Sequence, residues 1–103
     1  MFRELNEQEY KEQFLPEHSD YVIVFHATWC PPCRLFKSTL EELSEKDGIN
    51  VVRIDTDKNR MLSNEFGIKT LPTWFIIKGG EVVEKGSGYM LYAEFQTIVK
   101  KHL

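Results

Sequence analysis

The sequence is poor in cysteine, in long hydrophobic runs and in excess positive charge, and each shortage argues against a class of protein. Two cysteines among 103 residues are too few for a zinc site built from four thiolates. The longest apolar runs, YVIVF and WFII, have the length of a strand and not of a membrane span. A formal net charge of −3 with dispersed lysines and arginines provides no basic stripe for a phosphate backbone, so we expect no nucleic-acid partner.

The first fifteen residues, MFRELNEQEYKEQFL, contain no hydrophobic stretch that could serve as a signal peptide or membrane anchor. We therefore expect a cytoplasmic protein that works without a membrane. The length and the hydrophobic content of 42% predict one packed domain over residues 1–103. Because no large apolar face is predicted, we also expect a monomer.

Four helices are predicted from capping residues and from apolar residues at helical spacing. The first runs from Asn6 to Leu15 and begins with a capping pair, Asn6 and Glu9. The second follows the two cysteines and ends at Gly48. A short third helix is capped by Asp57. The fourth is the amphipathic segment LYAEFQTIVKKHL, whose lysines favour the negative end of the helix dipole.

Four stretches have the pattern of strands. YVIVF is a continuous β-branched and aromatic run, typical of a strand buried on both faces. INVVRID supplies a second strand, and TWFIIKGGEVVEKG supplies two strands joined by a turn at Gly79 and Gly80. Strands and helices alternate through the first two thirds of the chain, and parallel strands need helical crossovers. This order predicts an α/β fold with a mixed sheet and helices on both faces.

HATWCPPC places Cys30 and Cys33 two residues apart, between a buried strand and a helix. A disulfide across so short a loop would stabilise the fold only weakly, by about 2 kcal/mol on the loop-length model. A zinc site needs four ligands, and the three histidines are scattered. A redox pair fits the position best, because the start of a helix stabilises a thiolate. Cys30 is then the nucleophile that forms a mixed disulfide, and Cys33 the resolving thiol.

The motif WCPPC after a hydrophobic strand, RID on the next strand, GIKTLPTWFIIKGGEVVEKGSG and the closing helix together resemble the thioredoxin family along essentially the whole chain. The resemblance implies the thioredoxin fold, with a mixed sheet of five strands and four flanking helices. In that fold the first three strands are expected to be parallel and the last two antiparallel to them. The implied activity is that of a protein-disulfide reductase, an electron carrier with a redox-active disulfide. We expect no bound cofactor, because the chain has no nucleotide-binding pattern and NADPH and flavin then belong to the implied partner, thioredoxin reductase.

The resemblance also implies the residues around the two thiols. Pro72 is expected to follow a cis peptide bond and to lie beside the cysteines. The N–H and C=O groups of Leu71 are then available to an extended segment of a protein substrate. Trp29, Leu71, Gly88 and Tyr89 would frame a shallow apolar surface, for which plain packing or turn geometry is the alternative interpretation.

The dipeptide between the cysteines, Pro31-Pro32, departs from the glycine and proline that are usual in the family. Proline is tolerated in the first turn of a helix, because its missing N–H would have no partner there. Pro31 nevertheless brings no N–H to the thiolate of Cys30, which leaves chiefly the N–H of Cys33 and the helix dipole. Pro31 also stiffens the loop. These two effects on the reduction potential of the cysteine pair oppose each other, so the sequence does not predict the sign of the change. WCPPC resembles, in addition, the motif of some membrane-tethered periplasmic reductants.

Four further positions differ from the family. Typical thioredoxins bury an aspartate and a lysine where this chain has Val24 and Val51, so the aspartate's role in proton transfer is not carried over. His26 lies on the same strand face as Val24 and titrates near neutral pH, so it is a candidate substitute. Packing or hydrogen bonding in place of an aromatic ring is the favoured interpretation of His26. Ser38 replaces a helix-kinking proline, which predicts a straighter second helix.

Two alternatives to the reductase remain open from the sequence. An oxidant or isomerase would use the same two thiols. The direction of electron transfer depends on the reduction potential of the pair relative to its compartment, and a difference of about 30 mV changes the equilibrium constant tenfold. A redox-inactive binding module would keep the fold and hold a partner on the apolar surface around Trp29.

Overall fold

Five strands form one sheet in the computed structural model, which describes residues 1–103. The strands are β1 (Phe2–Glu4), β2 (Tyr21–His26), β3 (Val51–Asp55), β4 (Thr73–Lys78) and β5 (Glu81–Ser87). Their spatial order is β1-β3-β2-β4-β5. The first three strands are mutually parallel, and β4 is antiparallel to β2. The predicted mixed sheet is therefore confirmed.

The direction of the last strand corrects one expectation. β5 is antiparallel to its neighbour β4, so it runs in the direction of the first three strands. Only β4 opposes those three strands. The reason is the turn at Gly79 and Gly80, where φ values of 60° and 79° reverse the chain as predicted.

The edge strand β1 was not predicted from the residue pattern, and only the resemblance implied a fifth strand. β1 has three residues, of which Phe2 is half-buried and the other two are exposed. It pairs in parallel with β3, from Phe2 beside Val51 to Glu4 beside Arg53. So short a segment has no periodicity of its own, because its pairing depends on a strand almost fifty residues later.

The first helical segment matches its predicted range but not its predicted geometry. The capping box of Asn6 and Glu9 is present, with N···O distances of 2.9 and 2.8 Å. The helix α1 (Glu7–Glu9) then continues directly as a π-helical segment (Tyr10–Phe14). The wider turn still directs Tyr10 and Phe14 onto the sheet, where each is 3% exposed.

The other helices are α2 (Pro31–Asp47), α3 (Arg60–Glu65) and α4 (Tyr92–Lys100). α2 is an unbroken α-helix through Ser38 and ends at Gly48, which has a φ of 65°. The predicted cap of α3 is wrong, because the N-cap position is Asn59 and not Asp57. The N–H of Asp57 binds Asp55 Oδ1 at 2.9 Å, so a turn precedes α3 and moves its start toward the C-terminus.

The central strand β2 is buried on both faces, as predicted. On one face, Val22 and Val24 pack with α2 and α4. On the other, Ile23 and Phe25 pack with the first helical segment and α3. This double burial fixes the carboxyl end of β2, from which the cysteine motif emerges. None of the helices has the length and apolar content needed to span a membrane.

Candidate active site

Cys30 lies in the loop between β2 and α2 and is the N-cap residue of α2. Its Sγ accepts a hydrogen bond from the N–H of Cys33, with an N···S distance of 3.3 Å. Pro31 and Pro32 form the start of the helix and have no N–H to donate. The first amide that α2 can direct toward Cys30 is therefore that of Cys33, as predicted.

A disulfide joins Cys30 to Cys33, with the two Cα atoms 5.3 Å apart. Both residues are buried, at 4% and 2% exposure. The burial arises because Ala27 and Leu71 pack against the pair. Only Cys30 also lines a neighbouring cleft, so a substrate in the cleft meets Cys30 before Cys33.

The cleft beside Cys30 has a volume of about 530 Å³. One wall comes from the motif loop, where the Trp29 side chain is 64% exposed. The opposite wall comes from the loop after β3, from α3 and from the segment before β4. The lining residues are Trp29, Cys30, Pro31, Pro32, Thr56, Asp57, Arg60, Ser63, Asn64, Ile68, Lys69 and Leu71.

The peptide bond between Leu71 and Pro72 is cis, as the resemblance implied. Neither the N–H nor the C=O of Leu71 makes a hydrogen bond within the protein. The C=O of Pro72 accepts a hydrogen bond from the N–H of Gly88 at 2.9 Å, which places Gly88 next to this segment. Gly88 and Tyr89 do not line the cleft. Tyr89 is 40% exposed and packs edge-on against Phe36.

The predicted candidate His26 is buried and hydrogen-bonded away from the sulfurs. It is 4% exposed, and its Nε2 lies 2.7 Å from Glu4 Oε2. Arg53 Nε donates to the other oxygen of Glu4 at 2.7 Å. Burial alone would raise the pKa of Glu4, but these hydrogen bonds outweigh it and hold that pKa below its usual range. The ring makes no hydrogen bond to either cysteine, and packing or hydrogen bonding in place of an aromatic ring stays the favoured interpretation of His26.

Val24 and Val51, which replace the family's buried charge pair, are each 1% exposed and belong to the same apolar cluster. Two charges have thus been exchanged for close packing, which avoids the desolvation of an ion pair. No group of three or more His, Cys, Asp or Glu side chains is arranged to hold a metal ion.

The far wall of the cleft, with Asp57, Arg60 and Lys69, was missed from the sequence. One signal could have found part of it. β2 and β3 are parallel, so the loops after their carboxyl ends lie at the same edge of the sheet. The residues directly after β3 therefore had to approach the cysteine motif directly after β2.

Comparison with known proteins agrees with this geometry. The family model described as "Thioredoxin" matches residues 1–101. The chain is 36% identical to a thioredoxin of Bacillus subtilis over 96 residues, which cover 89% of this chain and 92% of the relative. It is 40% identical to a thioredoxin of Listeria monocytogenes over 81 residues, covering 77% and 79% of the two chains.

Solved structures show the same likeness. The crystal structure of chloroplastic thioredoxin z superposes with a TM-score of 0.85 at 30% identity, covering 97% of this chain and 92% of the other. The reduced thioredoxin pre-protein of Schistosoma mansoni gives a TM-score of 0.85 at 33% identity, with 99% and 98% covered.

Proposed function

Since the chain belongs to the thioredoxin family, we propose a role for each residue of the disulfide site. The protein is a thiol-disulfide oxidoreductase that reduces protein disulfides through the Cys30–Cys33 pair. The observation that carries the assignment of roles is the position of this disulfide, which lies at the start of α2 and exposes Cys30 alone to the cleft.

In the reduced protein, Cys30 is the nucleophile. Its thiolate attacks one sulfur of the substrate disulfide, a bond forms between Cys30 and that sulfur, and the other substrate sulfur leaves and takes up a proton. The N–H of Cys33 and the start of α2 stabilise the attacking thiolate. The two prolines in the first turn have no N–H group to donate to the thiolate, and they stiffen the loop.

Cys33 is the resolving thiol. After losing its proton, it attacks Cys30 Sγ, and the mixed disulfide breaks as the second substrate thiolate leaves and is protonated. The substrate has then gained two electrons, and the protein holds the intramolecular disulfide. The short Cα separation of 5.3 Å favours this step, because the resolving sulfur is already beside the sulfur that it attacks.

The backbone of Leu71 receives the substrate. Its N–H and C=O have no partner within the protein, so an extended target segment can pair with them as an added strand. Pro72 directly follows Leu71, which packs against the two cysteines, and the exposed ring of Trp29 provides apolar contact on one side. Gly88 adjoins Pro72 and leaves room for the target because it has no side chain.

Family membership also supports the wider assignments that we propose. Thioredoxin reductase regenerates the dithiol, and NADPH and flavin belong to that enzyme and not to this chain. The protein acts as a single-domain monomer over residues 1–103 in the cytoplasm. The match to the family model over residues 1–101 supports one domain.

Reduction of insulin by a small dithiol tests the proposal, because the precipitation of the free B chain is followed by turbidity. The wild-type protein is expected to accelerate precipitation, and Cys30→Ser to abolish the acceleration. Cys33→Ser is expected to accumulate a mixed disulfide with the substrate, which mass spectrometry detects. A trapped adduct on Cys33 in Cys30→Ser, with none on Cys30 in Cys33→Ser, would reverse the assigned roles.

Equilibration with glutathione tests the direction of the reaction. The oxidised fraction is read from tryptophan fluorescence, since Trp29 lies next to the disulfide. A reductase is expected to stay largely dithiol at the glutathione potential of a reducing cytoplasm. A pair that is largely oxidised under those conditions would instead indicate the oxidant or isomerase.

A further inference from the structure

The cleft beside Cys30 carries more positive than negative charge. Arg60 and Lys69 line it, are exposed, and form no ion pair within the protein. The carboxylate that lines the cleft, Asp57, accepts a hydrogen bond from Trp29 Nε1 at 2.7 Å. The cleft is thus lined by two cations without an ion-pair partner and by one carboxylate that is hydrogen-bonded to Trp29.

This local charge has the opposite sign to that of the whole chain, whose formal net charge is −3. If only the net charge mattered, a basic target would approach the protein more readily than an acidic one. The positive charge of the cleft predicts the opposite order for a segment that reaches Cys30, with an acidic segment favoured over a basic one. The two predictions can therefore be distinguished by experiment.

We propose that Arg60 and Lys69 select protein disulfides whose attacked cysteine is flanked by aspartate or glutamate. This inference rests on the proposed function. A target segment that pairs with the backbone of Leu71 and presents a sulfur to Cys30 lies across the mouth of the cleft. Its acidic side chains then meet the two unpaired cations, which raise the rate of productive encounter and favour the bound complex. A basic segment meets the same two cations and is repelled.

Two disulfide peptides of equal length provide the test, one with aspartates and the other with lysines beside the attacked cysteine. The rate at which the prereduced protein reduces each peptide is divided by the rate for dithiothreitol with the same peptide. This division removes the effect of neighbouring charges on the intrinsic reactivity of the disulfide. At low salt we expect the acidic peptide to react about five times faster than the basic one.

Salt and charge reversal provide two further readouts. In 1 M NaCl the ratio is expected to fall toward one, because the screening length shortens to about 3 Å. The double variant Arg60→Glu and Lys69→Glu is expected to invert the ratio. Lys78→Glu is the matched control, because Lys78 is exposed at the far end of β4 from Pro72 and changes the net charge in the same direction. The control is expected to keep the wild-type preference.

Equal normalised rates for the two peptides, or a ratio that the double variant leaves unchanged, would overturn the selection by charge. In both cases the peptides would still be reduced, so the reductase function would stand. Failure to reduce either peptide would overturn the proposed function itself. An equal shift of the ratio by Lys78→Glu and by a single reversal at Arg60 would assign the preference to net charge and not to the cleft.

Discussion

Trp29 and Asp57 are joined across the active-site cleft, with 2.7 Å between the indole Nε1 and Oδ2 of the carboxylate. Trp29 directly precedes Cys30, whereas Asp57 follows β3. The bond therefore ties the motif loop to the opposite wall. It also orients a side chain that is 64% exposed and would otherwise adopt several rotamers.

Removing this acceptor is expected to impair binding of the substrate more than stability. Asp57→Ala should lower kcat/KM for a protein disulfide about three- to tenfold, which corresponds to the net contribution of one solvent-exposed hydrogen bond. The free energy of unfolding should change by less than about 1 kcal/mol, because the bond is exposed. Steady-state kinetics and urea denaturation measure the two quantities.

Asp57→Asn is the matched control, since its amide oxygen can still accept from the indole. We expect this variant to keep most of the activity that Asp57→Ala loses, when both are assayed with an uncharged disulfide peptide. Equal losses in the two variants would show that the hydrogen bond to Trp29 is not the cause.

A substitution at His26 tests whether this residue takes part in proton transfer. Because the polar contact of the His26 ring is with Glu4 and not with a cysteine, we expect His26→Ala to leave the pH midpoint of Cys30 alkylation unchanged. The rate of iodoacetamide labelling of the reduced protein, measured against pH, provides the midpoint. His102→Ala is the control, because His102 makes a similar contact to Glu84 and neither residue lines the cleft. A midpoint that moves in His26→Ala alone would place His26 in the mechanism.

The elements with strong local patterns could be predicted from the sequence. β2 is a continuous apolar run, and two glycines with positive φ define the turn between β4 and β5. β1 could not be predicted, because three residues at a sheet edge owe their conformation to β3. The start of α3 was misplaced for a similar reason. Asn59 is held there by a long-range hydrogen bond, since its Oδ1 accepts from the N–H of Glu7 at 2.8 Å.

The site was predicted unevenly. The chemistry of Cys30 and Cys33 follows from their spacing between a strand and a helix, and the cis bond before Pro72 was expected from the resemblance and is present. The cleft wall at Arg60 and Lys69 could not be derived in detail. Its composition depends on where α3 and the following loop pack against the sheet, and no periodic pattern in the sequence records that packing.

Glu4 is expected to make stability depend on pH. The hydrogen bonds from His26 and Arg53 keep the pKa of Glu4 in the folded protein below its usual range. A group whose pKa is lower in the folded state stabilises the fold above its unfolded pKa. That contribution is lost as the pH falls through the folded pKa.

Glu4→Gln should therefore lower the free energy of unfolding by about 1 kcal/mol at pH 7, because one amide oxygen replaces two carboxylate oxygens that each have a donor. The difference from wild type should shrink as the pH falls below the ordinary pKa of glutamate. Urea denaturation at several pH values measures it. Glu12→Gln, at an exposed position, should show no such dependence, and a constant difference for Glu4→Gln would contradict the linkage.

The indole ring of Trp74 occupies the space that a side chain at Gly86 would need. The two residues are cross-strand partners on β4 and β5, and Trp74 is 2% exposed. A Cβ atom on Gly86 would lie 2.9 Å from Cε2 and from Cη2 of the ring, and closer still to Cζ2. We therefore expect Gly86→Ala to lower the free energy of unfolding by about 1–3 kcal/mol through overpacking.

A double-mutant cycle identifies the cause of this loss. Trp74→Phe removes the overlapping part of the ring without breaking a hydrogen bond, since Trp74 Nε1 has no partner. Gly86→Ala should then cost less in the Trp74→Phe background than in the wild type. Gly88→Ala is the contrast, because a Cβ there meets no atom within 4 Å but the backbone has a φ of 94°. Its cost arises from backbone strain, so Trp74→Phe should not relieve it. An equal cost of Gly86→Ala in both backgrounds would show that the Trp74 ring is not what requires glycine at this position.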